Sequence, residues 1–282
     1  MIPRVLVIAS HMDFITTVSA YGASKFAKYL ARKGIRVKFL YGITATRIPL
    51  LLALHSFKPH VVVYSGHGTR DSWVGNDIIF KLVGKDNADW LQKRVAVSAP
   101  ACSSAVTLGN IVVEEGAYAF LGALDVMYGA FPSVEHNYME DFVNGFFAGI
   151  KEFITENITL NEALKIYKSY WDDLVRLYEG KKSEWMNADF YAEAARNNRD
   201  VYTLIGNGSL TIDDIVSSME TERVNMLGKI MKGLFSFAIG STIALTVASM
   251  YAPYAIDVAT GKREASVDSF AEYTKKEVLG LK

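Results

Sequence analysis

Two short apolar runs, HVVVYS at 60–65 and RVAVSA at 94–99, constrain the fold most, because they are apolar at nearly every position rather than at every second one. A strand covered on both faces needs that continuous pattern, and helices packed on both sides of a parallel sheet supply the cover. A first strand at Arg4–Ala9 and a second at Ile35–Tyr41 fit the same scheme. Between them the chain reads as a loop through Gly22 and a helix from about Ser24 to Arg32, where Phe26, Ala27, Leu30 and Ala31 form a helical stripe. Gly34 stops that helix, and a further helix is expected at Arg47–Ser56.

This βαβαβ opening outlines a nucleotide-binding fold without its chemistry. The first turn, ASHMDFITTVSAYG, contains neither a tight glycine fingerprint nor a phosphate-binding lysine. Beyond it, a short strand is expected at Ile78–Val83, a helix containing Asn110–Glu114, a strand at Ala117–Gly122 and a long helix from Val134 or Glu135. A second long helix starts near Thr159, whose Thr-Leu-Asn-Glu sequence fits a capping box closed by Glu162. The polar stretch KKSEWMNADF reads as a surface loop, Val201–Ile205 as a last strand, and the residues after Thr211 as a short amphipathic helix.

Composition narrows the function classes. Half of the 282 residues are apolar and 21% are charged, which suits one large α/β domain with a C-terminal appendage. Thirty acidic residues balance thirty basic ones, so no global electrostatic footprint for nucleic acid is present. The single cysteine rules out an internal disulfide and a multi-cysteine metal site. His11, His55, His60, His67 and His136 lack a compact ligand spacing, so no metal and no cofactor are expected.

Residues 234–256, LFSFAIGSTIALTVASMYAPYAI, carry no charge and are flanked by Lys229, Lys232, Asp257, Lys262 and Arg263. At ~1.5 Å rise per residue such a run crosses a hydrocarbon layer of roughly 30 Å. A single membrane-spanning helix is expected there, with the N-terminal domain on the cytoplasmic side because MIPRVLVIAS reads as a strand rather than an export signal. The competing reading is a helix buried in an oligomer, or against the main domain, of a soluble cytoplasmic protein. Gly240, Ala244 and Ala248 recur every fourth position and suit self-association.

The chemistry lies just past the two apolar runs. His67 follows the first, in VVVYSGHG, and Cys102 follows the second, in VAVSAPACSS. If both runs are strands of one parallel sheet, an imidazole and a thiol emerge at the same sheet edge. A thiol becomes a good nucleophile as thiolate, which a neighbouring histidine favours, and the histidine can then protonate a departing amine. The amides of Gly68 and Cys102 are placed to donate to a developing oxyanion. A buried inert thiol beside an unrelated loop histidine is the competing reading.

With these residues in view, the chain resembles the caspase-like (clan CD) cysteine peptidases and is most similar to the gingipain-like (C25) branch. The resemblance rests on the block ending in His67-Gly68, the later block ending in Ala101-Cys102, AYAFLGALDVMYG at 117–129, ITLNEALKIYKSYW at 158–171 and VYTLIGNGSL at 201–210. It implies a caspase-like three-layer α/β sandwich with a mostly parallel central sheet, followed by a C-terminal apolar helix. The implied division is a peptidase domain at 1–212, a connector at 213–233, the apolar helix at 234–256 and a polar tail at 257–282. Cys102 is then the nucleophile and His67 its proton donor, with Gly68 and Cys102 as oxyanion donors. Asp13 and His11 fall where relatives place part of the pocket for the residue before the cut bond, and an acidic Asp13 there favours Arg or Lys substrates. Asp71 and Trp73 are expected to orient His67 or wall the cleft. The chain departs from the pattern at Ala99-Pro100 and at Asn207-Gly208, which stands where relatives carry Asp-Pro. Hydrolysis of peptide or protein substrates is the expected activity. A transpeptidase using the same dyad, and a catalytically inactive scaffold that assembles partners, are the alternatives.

Overall fold

The computed structural model of the chain describes residues 2–76, 81–221 and Asp257. Contacts group the chain into two compact units, Met1–Val216 and Ser217–Lys282. In the first unit, β1 (Arg4–Ala9), α1 (Phe14–Arg32), β2 (Arg36–Tyr41), α2 (Arg47–Ser56) and β3 (Val61–Ser65) form the expected βαβαβ opening. Three two-residue strands follow, β4 (Gly68–Thr69), β5 (Ser72–Trp73) and β6 (Val83–Gly84), and then β7 (Val95–Ser98), α3 (Leu108–Glu114) and β8 (Ala119–Ala123). The unit continues through α4 (Tyr138–Glu156), α5 (Leu160–Lys181), α6 (Ala188–Val201) and β9 (Tyr202–Gly206).

The main sheet runs β2-β1-β3-β7-β8-β9; every neighbouring pair is parallel except β8 and β9. Every residue of β3, β7 and β8 is buried, whereas β2 at the edge buries only Leu40. That contrast explains the continuous apolar runs: the inner strands are covered on both faces. One face, with Leu6, Ile8, Val62, Tyr64, Ala96 and Phe120, packs on Leu50 and Leu54 of α2 and on Leu108 and Val112 of α3. On the other side α1 packs against β1 and β3, and α4, α5 and α6 pack in succession beyond it. Phe26 of α1 stacks on Phe147 of α4, and Tyr167 of α5 stacks on Tyr202 of β9. The result is a mixed α/β architecture with a mostly parallel sheet flanked by helices, consistent with the three-layer sandwich.

Two elements differ from the sequence reading. Helix α1 begins at Phe14 rather than Ser24, because Asp13 caps it in a box with Thr16. Helix α6 follows directly on the polar stretch, starting at Ala188 within it. The expected strand at Ile78–Val83 lies partly on residues 77–80, outside the described residues; Val83 itself opens β6. The capping box on α5 forms as read, with Thr159 accepting from the Glu162 amide and the Glu162 carboxylate accepting from the Thr159 amide.

The membrane placement is corrected. Among the described residues no helix is long and apolar enough to cross a membrane. The segment 234–256, on which that placement rested, lies outside the described residues.

Helices α4 and α5 approach closely because α4 turns glycines toward its neighbour. A Cβ on Gly149 would lie 2.1 Å from the Ala163 carbonyl oxygen, and one on Gly145 would lie 2.8 Å from the Trp171 ring. Backbone cannot rotate aside as a side chain can, so Gly149→Ala must push the two helices apart. We expect it to destabilise the fold by ~1–3 kcal/mol, the usual range for overpacking. Urea unfolding would show this as a lower midpoint with an unchanged slope.

Candidate active site

The C-terminal ends of β1, β3, β7 and β8, adjacent in the sheet, supply the site in spatial order. Asp13 follows β1, His67 follows β3, Cys102 follows β7, and Met127 to Phe131 follow β8. His67 and Cys102 line one cleft, together with Ile15, Val18, Met127, Ala130, Phe131 and Phe146. Thus the two residues separated by thirty-five positions in the chain meet because β3 and β7 pair in parallel, with Val61 beside Val95.

Backbone hydrogen bonds clamp the cysteine loop between its neighbours. On one side, Ala99 N donates to Tyr64 O (2.7 Å) and Gly66 N to Pro100 O (3.1 Å). On the other, Ser103 N donates to Asp125 O and Ala105 N to Ala123 O, both at 2.9 Å. The histidine loop is held from beneath by Tyr64, whose hydroxyl donates to His67 O at 2.8 Å. Burial pushes the Tyr64 phenol well above its ordinary range, so it remains a donor. Gly68 touches the cysteine backbone itself: a Cβ there would lie 2.5 Å from the Cys102 carbonyl oxygen. No side chain fits between the two loops, and their main chains therefore stand side by side.

Asp13 is placed differently from its sequence-based role. Its Oδ1 accepts the Thr16 amide at 2.8 Å, while Oδ2 meets His67 Nε2 at 2.6 Å. The Thr16 amide first, and the His67 contact second, hold the carboxyl down to about 2. It is therefore ionised at neutral pH and can only accept, so His67 Nε2 carries the proton of that hydrogen bond. In the neutral imidazole this leaves Nδ1 as the basic nitrogen. Asp13 is not among the residues that line the cleft.

The sign of its contribution to stability follows. A carboxylate whose pKa falls on folding stabilises the native state above its unfolded value of 3.8, and the contribution disappears as pH falls toward about 2. Because the Asp13 side chain is exposed and screened by solvent, we expect only a small urea-midpoint difference between the unmodified chain and Asp13→Asn, closing over that interval.

The other residues expected at the site are dispersed. Trp73 is a correction: it has 0% exposure, stacks on Tyr64 and Phe120 and donates to Ser98 Oγ, so it is core rather than cleft wall. His11 stacks on Tyr41, whose hydroxyl lies 2.9 Å from its Nδ1, and it does not line the cleft. Asp71 pairs with Lys81 and accepts from Thr69, in the exposed turn joining β4 and β5. That pairing with Lys81, and then the Thr69 hydroxyl, hold its carboxyl below the usual range. It touches the site only indirectly, since neighbouring Arg70 O accepts the Thr107 and Leu108 amides at the start of α3. Among the described residues no three His, Cys, Asp or Glu side chains converge to hold a metal ion.

The cysteine thiol is partly buried. Its Sγ accepts the Met127 amide at 3.4 Å and lies 3.9 Å from the Met127 carbonyl oxygen. Sequence reasoning missed the cleft walls. Their signal was an apolar loop, VMYGAF at 126–131, directly after a buried strand.

No protein-family description matches the sequence, and no curated protein matches it either. Solved structures do. The arginine-specific cysteine proteinase gingipain R (RgpB) superposes with a TM-score of 0.51 at 15% identity, covering 74% of this chain and 47% of that one. A complex of the pro- and mature domains of Porphyromonas gingivalis RgpB gives 0.50 at 14% identity, covering 74% and 48%. The chain has the gingipain fold. It spans about half the length of the gingipain chains it matches. In this gingipain-like fold the β3 and β7 ends carry His67 and Cys102, with Asp13 bonded to the histidine.

Proposed function

We propose that the chain is a cysteine peptidase in which Cys102 attacks the scissile carbonyl and His67 supplies the proton to the departing amine. The observation that carries this reading is the placement of a thiol and a carboxylate-bonded imidazole on one cleft at the C-terminal edge of a parallel sheet. The thiolate sulfur bonds to the carbonyl carbon, the carbon–nitrogen bond breaks, and the amine leaves with the His67 proton. Water then attacks the thioester, releasing the new carboxyl and restoring the thiol. The amides of Gly68 and Cys102 are assigned to the oxyanion, in keeping with the close contact of their main chains. Asp13 acts as a positioning residue, fixing the tautomer and orientation of His67.

A second reading, a catalytically inactive scaffold with a gingipain-like fold, is favoured by one observation. The hydrogen-bond partners of Cys102 Sγ are the Met127 main-chain groups, and none joins it to His67. Unliganded catalytic hydrogen bonds are often long and tighten on substrate, which leaves the peptidase reading open to the same test as the scaffold. A transpeptidase would share the acyl-enzyme and differ only in its acceptor. The test is digestion of a mixed peptide library by the full chain, with Cys102→Ala as control and a competing amine in one arm. New termini that depend on Cys102 support hydrolysis, amine adducts support transfer, and an unchanged library supports the scaffold.

A further inference from the structure

We infer that the cleft beside Cys102 is a specificity pocket for an apolar side chain and not for Arg or Lys, an inference that rests on the reading of Cys102 as the nucleophile. When a carbonyl lies against the Cys102 sulfur, the side chain on the preceding carbon falls among the residues that share the cleft with it. Those residues are Ile15 and Val18 from α1, Met127, Ala130 and Phe131 from the β8 loop, and Phe146 from α4. The cavity volume, about 70 Å³, is below the roughly 300–1,000 Å³ of small-molecule sites and suits one side chain of a longer ligand.

No lining residue bears a negative charge. Neither of the two carboxylates nearest in sequence to the lining segments is itself a lining residue: Asp13 accepts from Thr16 and His67, and Asp125 Oδ1 accepts the Val126 amide. The lining hydroxyls are also used within α1, since Thr16 Oγ1 donates to Asp13 and Ser19 Oγ donates to the Thr16 carbonyl. A guanidinium or ammonium group entering this space would lose water without a lining carboxylate to pair with, a penalty for a charged group. An apolar side chain loses nothing comparable and covers surface that is now wet.

The rim continues the same chemistry. Phe14 and Phe131 stack with ring centroids 5.4 Å apart, yet Phe14 is 68% exposed and Phe131 44%. Ile15 beside them is 61% exposed. Contiguous exposed apolar surface at a cleft mouth marks a place where apolar ligand is bound.

The experiment measures binding without relying on turnover. Fluorescein-labelled Ala-Ala-X-Ala-Ala peptides, with X as Leu, Phe, Met, Arg, Lys or Asp, are titrated into the full chain carrying Cys102→Ala. We expect the Leu, Phe or Met peptide to bind at least tenfold more tightly than the Arg and Lys peptides. Adding Ile15→Asp should reduce that preference at least tenfold and improve binding of the basic peptides. This second variant keeps the helix intact, because position 15 is exposed in the first turn of α1, where an acidic residue is favourable. Equal or tighter binding of Arg or Lys, or no dependence on X up to millimolar peptide, overturns the pocket assignment. Hydrolysis of the same peptides by the unmodified chain separates the two ideas. Selective apolar binding without Cys102-dependent cleavage overturns the peptidase reading and upholds the pocket; Cys102-dependent cleavage without selective binding does the reverse.

Discussion

Cys102→Ala is expected to lower peptide hydrolysis by ~10⁴-fold or more, because it removes the thiol proposed to form the acyl-enzyme. His67→Ala should cost a similar factor, since a thiolate without a proton donor cannot expel an amine. Residues that act as one unit are not additive, so the double variant should be no slower than either single variant. Additive losses would mean that the two side chains act separately and would count against the proposed mechanism. Folding controls are straightforward: Sγ receives one weak main-chain hydrogen bond and His67 is 40% exposed, so neither substitution removes a core contact. Near-ultraviolet circular dichroism should be unchanged in both.

Asp13→Asn is expected to separate stability from activity. Asparagine and aspartate are equivalent N-caps, so the Thr16 amide keeps its acceptor and stability should change by no more than ~0.5 kcal/mol. What changes is the charge 2.6 Å from His67 Nε2, which in the proposed mechanism orients the ring and fixes its tautomer. Asparagine can also turn its NH₂ toward Nε2 and so impose the opposite tautomer. Activity should fall by ~10²- to 10⁴-fold through kcat rather than KM. Asp13→Ala loses both functions and should cost about 1 kcal/mol of stability as well. If Asp13→Asn retains full activity, the carboxylate is only a helix cap and the positioning role is lost.

What could be read in the chain follows from how local each signal is. The unbroken apolar runs at 61–65 and 95–98 belong to strands buried on both faces, and a residue just beyond such a strand must emerge at its C-terminal end. That placed His67 and Cys102 at strand ends. The Thr159–Glu162 capping box is equally local, made by side chains three residues apart. The early turn of α1 was hidden because its buried face is built of Thr16, Ser19, Ala20, Gly22 and Ala23, which give no apolar stripe. Helix α6 was hidden for a like reason, since its buried positions include Ala188, Ala192, Ala194, Ala195 and Asn198. Close packing against α5 needs small residues there, and small residues carry little hydrophobic signal.

The sequence by itself determined the layered α/β class and the emergence of a thiol and an imidazole at strand ends, because period and local capping are properties of neighbouring residues. Only the tertiary structure decided which strands are adjacent, and therefore that Asp13 is hydrogen-bonded to His67 and that Trp73 lies in the core and not in the cleft wall. It also decided the chemistry of the pocket, whose walls come from α1, the β8 loop and α4. Pairing order and side-chain convergence depend on contacts between distant segments, and no spacing within one segment encodes them.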